Sequence, residues 1–371
     1  MIKQMSFFAM LILSISSFGQ YKTVVFKNGL KKEKNKDYAG AIVDFSKAIS
    51  LDPTNAAYYY NRGVSKAWLE DYIGAIEDYN KSIELDPNDA TTYNNRATSK
   101  GQLKDYQGAI ADCSKAIQLR ANFDSAYFNR AISKDEIKDY KGAIADYSKA
   151  IEFNINDSRA YYYRAVCKTK IGDHAGAIID YTFSIKLNPY VANAFNNRAS
   201  SKYRLNDFEG SISDFSNAIA LNPKEAIYYN NRGDSKSALK DYVAAVNDYN
   251  IAVELNPNNV FYFYNRGACM TKLENYVQGL SDLTKAIELD PSNPKSYNIR
   301  GVCKESLKDL KGAMIDYTKA IELDSNNANY YYNRGNNEIK IGDKKSGCED
   351  LNKAVLLGDS NAKKLINKFC K

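Results

Sequence analysis

Few residues in this chain could perform acid–base, nucleophilic or metal chemistry, and most of them follow a repeat. One His among 371 residues leaves a single candidate for any imidazole mechanism and excludes a His-rich metal site. That residue, His174, stands in a slot filled elsewhere by Tyr38, Tyr72, Tyr106, Tyr140, Phe208, Tyr242 and Tyr276, so it reads as a packing residue. Cys167, Cys269 and Cys303 share a position with Ser65, Ser99, Ser133, Ser201 and Ser235, and Cys113 replaces an aromatic core residue. None has a His to draw off its proton. There is no phosphate-binding loop, no G-x-S-x-G and no H-E-x-x-H. The expectation is therefore no catalytic residue, no metal, no cofactor and no enzymatic activity.

The charged residues keep time. Arg recurs at 62, 96, 130, 164, 198, 232, 266, 300 and 334, every step 34 residues, and these nine are most of the twelve Arg in the chain. Asp keeps the same interval at 44, 78, 112, 146, 180, 214, 248, 282, 316 and 350. With units numbered from residue 22, Arg falls at position 7 and Asp at position 23 of each unit. Two antiparallel helices turning about position 15 bring these positions to one level. The spacing predicts structural ion pairs such as Arg62 with Asp78, Arg130 with Asp146 and Arg232 with Asp248. The planar guanidinium fork suits a carboxylate better than an ammonium does.

The elements that position these residues are helices. Within a unit, apolar residues recur at helical spacing, as in Ile76, Tyr79, Ile83 and Leu85. Asp71, Asp105, Asp139 and their equivalents precede the second helix, where a carboxylate accepts from the first turn's free N–H groups. Small residues at positions 8 and 20 let the two helices approach, and Pro at position 32 stops the second. Ten such units run without insertion, at 22–55, 56–89, 90–123, 124–157, 158–191, 192–225, 226–259, 260–293, 294–327 and 328–361.

A 34-residue helix–turn–helix unit with this pattern resembles the tetratricopeptide repeat. The family's small residue at position 8 is matched by Gly63, Ala97, Ala131 and Gly233, its Ala at position 20 by Ala75, Ala109 and Ala143, and its Pro at position 32 by Pro53, Pro87 and Pro189. Arg at position 7 departs from the usual apolar residue, as in N-R-G variants of the repeat. The resemblance implies an all-α, right-handed α-solenoid, a superhelix over 20–361 with a C-terminal capping helix at 362–371. It also implies a concave face lined by the first helix of each unit, used to bind a protein or extended peptide.

On that face, position 6 is Asn61, Asn95, Asn129, Asn197, Asn231, Asn265 and Asn333. Asn is a mediocre residue inside a helix, and an amide offers both donor and acceptor to a peptide backbone. The row is similar to the asparagine ladders of some long tetratricopeptide superhelices. The competing reading confines these amides to the architecture of the repeat. Position 5 adds Tyr60, Phe128, Tyr162, Tyr264 and Tyr332 to the candidate peptide site. Lys66, Lys100, Lys134, Lys168, Lys202, Lys236 and Lys304 form a second row at position 11, with stems over apolar surface and ammonium groups expected in water. An anionic polymer bound along the Arg and Lys rows is the alternative function.

The net charge is +7, with 44 acidic residues mixed among 51 basic ones and no basic block, so nucleic acid is not an expected partner. Met1 to Gln20 carry Lys3, an apolar stretch from Ser6 to Ile15, and small residues Ser17 and Gly19 two apart. Residues 1–19 thus read as a signal peptide, too short an apolar run for an anchor, with no membrane insertion after cleavage. The mature chain is expected in the periplasm or secreted. Cys348 and Cys370 lie equidistant from Asp359, in the turn between the last two helices, and export would place them where disulfides persist. A disulfide pinning the cap is expected, with two free thiols as the other possibility.

Overall fold

In a computed structural model, residues 20–370 are described, and among them every regular element is a helix. The signal segment expected at 1–19 lies outside the described residues. A helix over 20–34 and the helix Tyr38–Leu51 form the first pair. Nine more pairs follow, among them Ala56–Trp68 with Tyr72–Leu85 and Asp124–Glu136 with Tyr140–Phe153. The last pair is Ala328–Ile341 with Lys344–Leu356, followed by the short helix Ala362–Phe369. Below, helix A and helix B denote the first and second helix of a pair.

The chain divides into two compact halves, one ending at Asn188 and one beginning at Pro189. Each half holds five A–B pairs, and the second also holds the cap. Within a half, helix B packs on its own helix A and on helix A of the next pair. Most neighbouring A helices also touch, such as Ala90–Gln102 with Asp124–Glu136. Within each half, each described repeat packs on its sequence neighbours, as the units of a repeat protein do.

The pairs form for local reasons. The side chains of Asp71, Asp105, Asp139, Asp173 and Asp207 each accept from the N–H three residues on, satisfying one of the free donors of helix B. Position 24 supplies the largest side chain of each intra-pair core, as Tyr79, Tyr147, Tyr181, Phe215, Tyr249 and Tyr317, all sealed from solvent. Small residues opposite make room for them. A Cβ added to Gly335 would lie 2.8 Å from the Gly347 carbonyl oxygen, so helices A and B there meet backbone to backbone. The A–B turn passes through a left-handed residue at position 15, with φ of 64° at Glu70 and Lys138 and 83° at Gly172.

Candidate functional site

Each periodic Arg meets the Asp sixteen residues on. Nε donates to Oδ2 and Nη2 to Oδ1, at 2.9 and 2.6 Å for Arg62–Asp78 and 2.8 and 2.6 Å for Arg130–Asp146. Arg232–Asp248 repeats the fork at 2.9 and 2.7 Å. The carboxylates are buried, Asp78 at 3% exposure. The third guanidinium nitrogen reaches out of the pair. Nη1 of Arg62 donates to Ser46 Oγ at 3.0 Å, that of Arg96 to Asn80 Oδ1 at 2.7 Å and that of Arg130 to Ser114 Oγ at 3.0 Å. Every acceptor sits at position 25 of the preceding helix B, so one Arg ties three helices together. This tie was missed from the sequence, although position 25 is always Ser, Thr or Asn in the first nine units. An aromatic ring at position 4 lies beside each Arg, as Tyr127 does 5.4 Å from Arg130.

The Lys row corrects the sequence reading. Its ammonium groups do not stand in water but close on the same Asp, Lys66 on Asp78 at 2.9 Å, Lys134 on Asp146 at 2.7 Å and Lys236 on Asp248 at 2.8 Å. The reach of position 11 to position 23 across the pair is the reason. The Lys66 side chain is only 19% exposed. Arg and Lys are therefore engaged within the fold, and neither row offers the free cations that an anionic polymer would need.

The A-helix face has a different character. Depressions recur between neighbouring A helices: about 340 Å³ among Val64, Trp68, Asn95 and Gln102, about 320 Å³ among Thr98, Asn129, Ile132 and Glu136, and about 280 Å³ among Ser200, Tyr203, Asn231 and Asp234. A position-6 Asn stands in the wall of each. These amides also join the repeats. Nδ2 of Asn95 donates to Tyr60 Oη, of Asn129 to Asn94 Oδ1 and of Asn265 to Asn230 Oδ1, each at 3.0 Å. Asn333 donates to Asn298 Oδ1 at 2.9 Å. Asn61 bonds back to Ala57 in its own helix, while Asn197 and Asn231 accept from Asn196 and Asn230. The donor half of most of these amides is thus taken by the fold. Among the described residues, nothing donates to the side-chain carbonyl oxygens of Asn95, Asn129, Asn265 and Asn333, which are left as acceptors.

The position-5 aromatics lie mainly inside the repeat. Phe128 is buried edge-on to Tyr147, with Arg159 over its ring at 5.0 Å. Tyr60 packs on Tyr79 and Tyr162 on Tyr181. Burial pushes the Tyr60 and Tyr264 hydroxyls above their ordinary range. Tyr332 packs against the last core cluster, with Leu351 and Ala362. These rings point from helix A toward position 24 of helix B, because position 5 lies on the core side of the face that position 6 shares.

The four remaining thiols are buried, and burial pushes Cys113 and Cys167 up to about 12, far from the thiolate that nucleophilic chemistry needs. His174 begins a helix B, half-buried, with its Nδ1 unpaired. Cys348 and Cys370 are joined by a disulfide with Cα atoms 5.7 Å apart, fastening the cap helix to the last helix B. Among the described residues no group of His, Cys, Asp and Glu is placed to hold a metal, and no helix is long and apolar enough to cross a membrane.

Comparison with known proteins agrees with this geometry. Profiles described as tetratricopeptide repeat match residues 56–89, 90–123, 124–155, 196–260 and 294–327, and one described as TPR repeat matches 34–67. Together they cover more than half of the chain, which belongs to the tetratricopeptide repeat family. No curated protein matches it. Among solved structures, a chain of the APC/C hetero-tetramer Cut9–Hcn1 is similar at 12% identity, over 98% of this chain and 89% of that one, with a TM-score of 0.52. A tetratricopeptide repeat protein from Parabacteroides merdae matches at 19% identity, over 67% of this chain and 99% of that one, with a TM-score of 0.51. PilF of Pseudomonas aeruginosa matches at 19% identity, over 57% and 96%, also at 0.51. At these identities the shared property is the fold.

Proposed function

We propose that this protein is a non-catalytic binding scaffold that takes an extended segment of a partner protein along its A-helix faces. The recurring depression between neighbouring A helices, each walled by a position-6 Asn, carries this reading. The unpaired amide oxygens of Asn95, Asn129, Asn265 and Asn333 would accept backbone N–H groups from an extended chain, which presents such donors at regular intervals. Apolar walls from Val64, Trp68 and Ile132 would take side chains between them. Because the Arg and Lys rows are paired internally, binding should depend little on salt.

The test is capture from an envelope extract on immobilised wild type and on a variant with Asn95, Asn129 and Asn265 changed to Ala. A partner held by the first and lost from the second supports the A face; equal retention on both moves the site elsewhere. We also propose that the chain is exported to the bacterial envelope or beyond. The signal-like residues 1–19 and the Cys348–Cys370 disulfide favour an oxidising compartment. Fractionation with N-terminal sequencing checks this: a chain starting at Gln20 outside the cytosol is expected, and full-length cytosolic protein would refute it.

A further inference from the structure

Position 9 of helix A is Leu30, Val64, Ile132, Val166, Ala268 and Val302 in six repeats, Thr98, Ser200 or Asn336 in three others, and Asp234 in the seventh repeat. The carboxylate of Asp234 does not reach water freely; burial pushes its proton affinity up. Its partners are all neutral. Tyr249 Oη donates to Oδ1 at 2.7 Å, Asn265 Nδ2 to Oδ1 at 3.0 Å and Asn230 Nδ2 to Oδ2 at 3.3 Å. No Lys or Arg nitrogen among the described residues lies within 4.0 Å of it. In the same repeat the buried carboxylate of Asp248 is met by both Arg232 and Lys236.

A carboxylate has about four acceptor sites. Oδ1 has two donors and Oδ2 a single long one, so Oδ2 retains capacity for a strong bond. Asp234 lines the depression of about 280 Å³ with Ser200, Tyr203, Phe215 and Asn231, and Arg204 stands exposed at its rim, outside ion-pair distance. The repeat does not need an acid here. In the fourth repeat Ile132 occupies the position, and the facing Tyr147 hydroxyl stays unpaired without disturbing the helices. Asp234 thus leaves a desolvated negative charge in an open cavity, held by three neutral donors and lacking a counter-charge. Such a charge is stabilised by a cation that brings hydrogen bonds with it.

We propose that the Asp234 cavity is a subsite for a cationic side chain, the ammonium or guanidinium of a Lys or Arg in the bound segment. The inference rests on the peptide-binding reading and adds a requirement for a basic residue at one register.

A displayed library of random twelve-residue peptides, selected against the full chain, tests it. Two variants run in parallel: Asp234→Asn, which removes the charge, and Asp234→Val, which installs the residue the repeat uses at Val64 and Val166. Helical content by circular dichroism confirms that each is folded. The expected result is enrichment of Lys or Arg at one position on the wild type, and a tenfold or greater loss of affinity for those peptides on both variants. Enriched peptides without a basic residue, or basic peptides bound equally by the variants, would overturn the subsite and leave the peptide reading standing. Failure to enrich any peptide on the wild type would overturn both.

Discussion

Arg130 holds both oxygens of Asp146 and the hydroxyl of Ser114, and Lys134 closes on the same carboxylate. Removing Arg130 leaves Asp146 with Lys134 as its cationic partner and takes the guanidinium donor from Ser114. Arg130→Met should destabilise the fourth repeat by on the order of 2 kcal/mol, the scale of losing hydrogen bonds to a charged group while Lys134 still meets the carboxylate. Adding Asp146→Leu should not recover this loss, because Lys134 then loses the carboxylate it closes on. Hydrogen exchange of Tyr140–Phe153 in the single and double variants checks both statements. The last repeat breaks the pattern at this scale. Position 11, Lys in every other repeat but the eighth, where it is Met270, is Glu338, with Oε2 unpaired. Burial first, then the charge of Asp350, pushes its carboxyl up to about 7 from 4.5, against the opposing pull of Arg334. The folded chain therefore holds this proton more tightly than the unfolded chain does. The stabilisation is complete below pH 4.5 and is lost as pH rises through about 7. Exchange in Ala328–Ile341, corrected for intrinsic rate, should be faster near pH 8 than near pH 5, and Glu338→Gln should remove the difference. The Arg–Asp fork was legible in the sequence because both partners keep one clock. The Lys–Asp contact was not, since a periodic Lys looks the same whether it meets water or a carboxylate. The Asn row was legible as a row, but the sequence could not tell which half of each amide the fold occupies.

At the scale of elements, helix boundaries followed from caps and periodicity, and Asp139 shows why: its carboxylate accepts from Gly142 N–H at 3.0 Å. The A–B turn was less readable. Its left-handed position is Lys36, Glu70, Lys104 or Lys138 in the first repeats, residues that give no hint of positive φ. Only Gly172, Asn206 and Gly342 are types that adopt it readily. The fold therefore carries strain in most of its turns, over-determined by the packed helices on either side. Lys138→Gly should stabilise the fourth repeat by up to about 1 kcal/mol, and Gly172→Ala should destabilise the fifth by about the same amount. Opposite shifts in the denaturation midpoint are the expected outcome. Like-signed shifts would mean that the Gly entropy cost in the unfolded chain outweighs the relief of strain.

At the scale of the whole molecule, the clock runs unbroken across Asn188 and Pro189, so nothing in the spacing marks two compact halves. Their existence reflects where contacts concentrate, and a repeat pattern does not encode that. What the sequence does mark is the asymmetry of the ends. In a solenoid, stability is a sum of repeat and neighbour terms, and a terminal repeat with a bare face is the weakest link. The second half ends in Ala362–Phe369, where Ala362 is fully buried against Leu351 and Ala354 and the Cys348–Cys370 bond closes the helix onto its support. A fragment of residues 20–188 has the same number of repeats but ends on His174–Leu187 with no covering helix. Both fragments should fold, since each repeat needs only its neighbours. The 189–371 fragment should melt at the higher temperature, and its helix Lys344–Leu356 should exchange more slowly than His174–Leu187 of the other fragment. Reductant should erase much of this difference, because closing a loop of 22 residues is worth about 3 kcal/mol to the segment it holds. If the reduced fragment kept its full advantage, the cap would act through apolar packing by Ala362, Leu365 and Ile366, and the disulfide would only record that the helix was already in place.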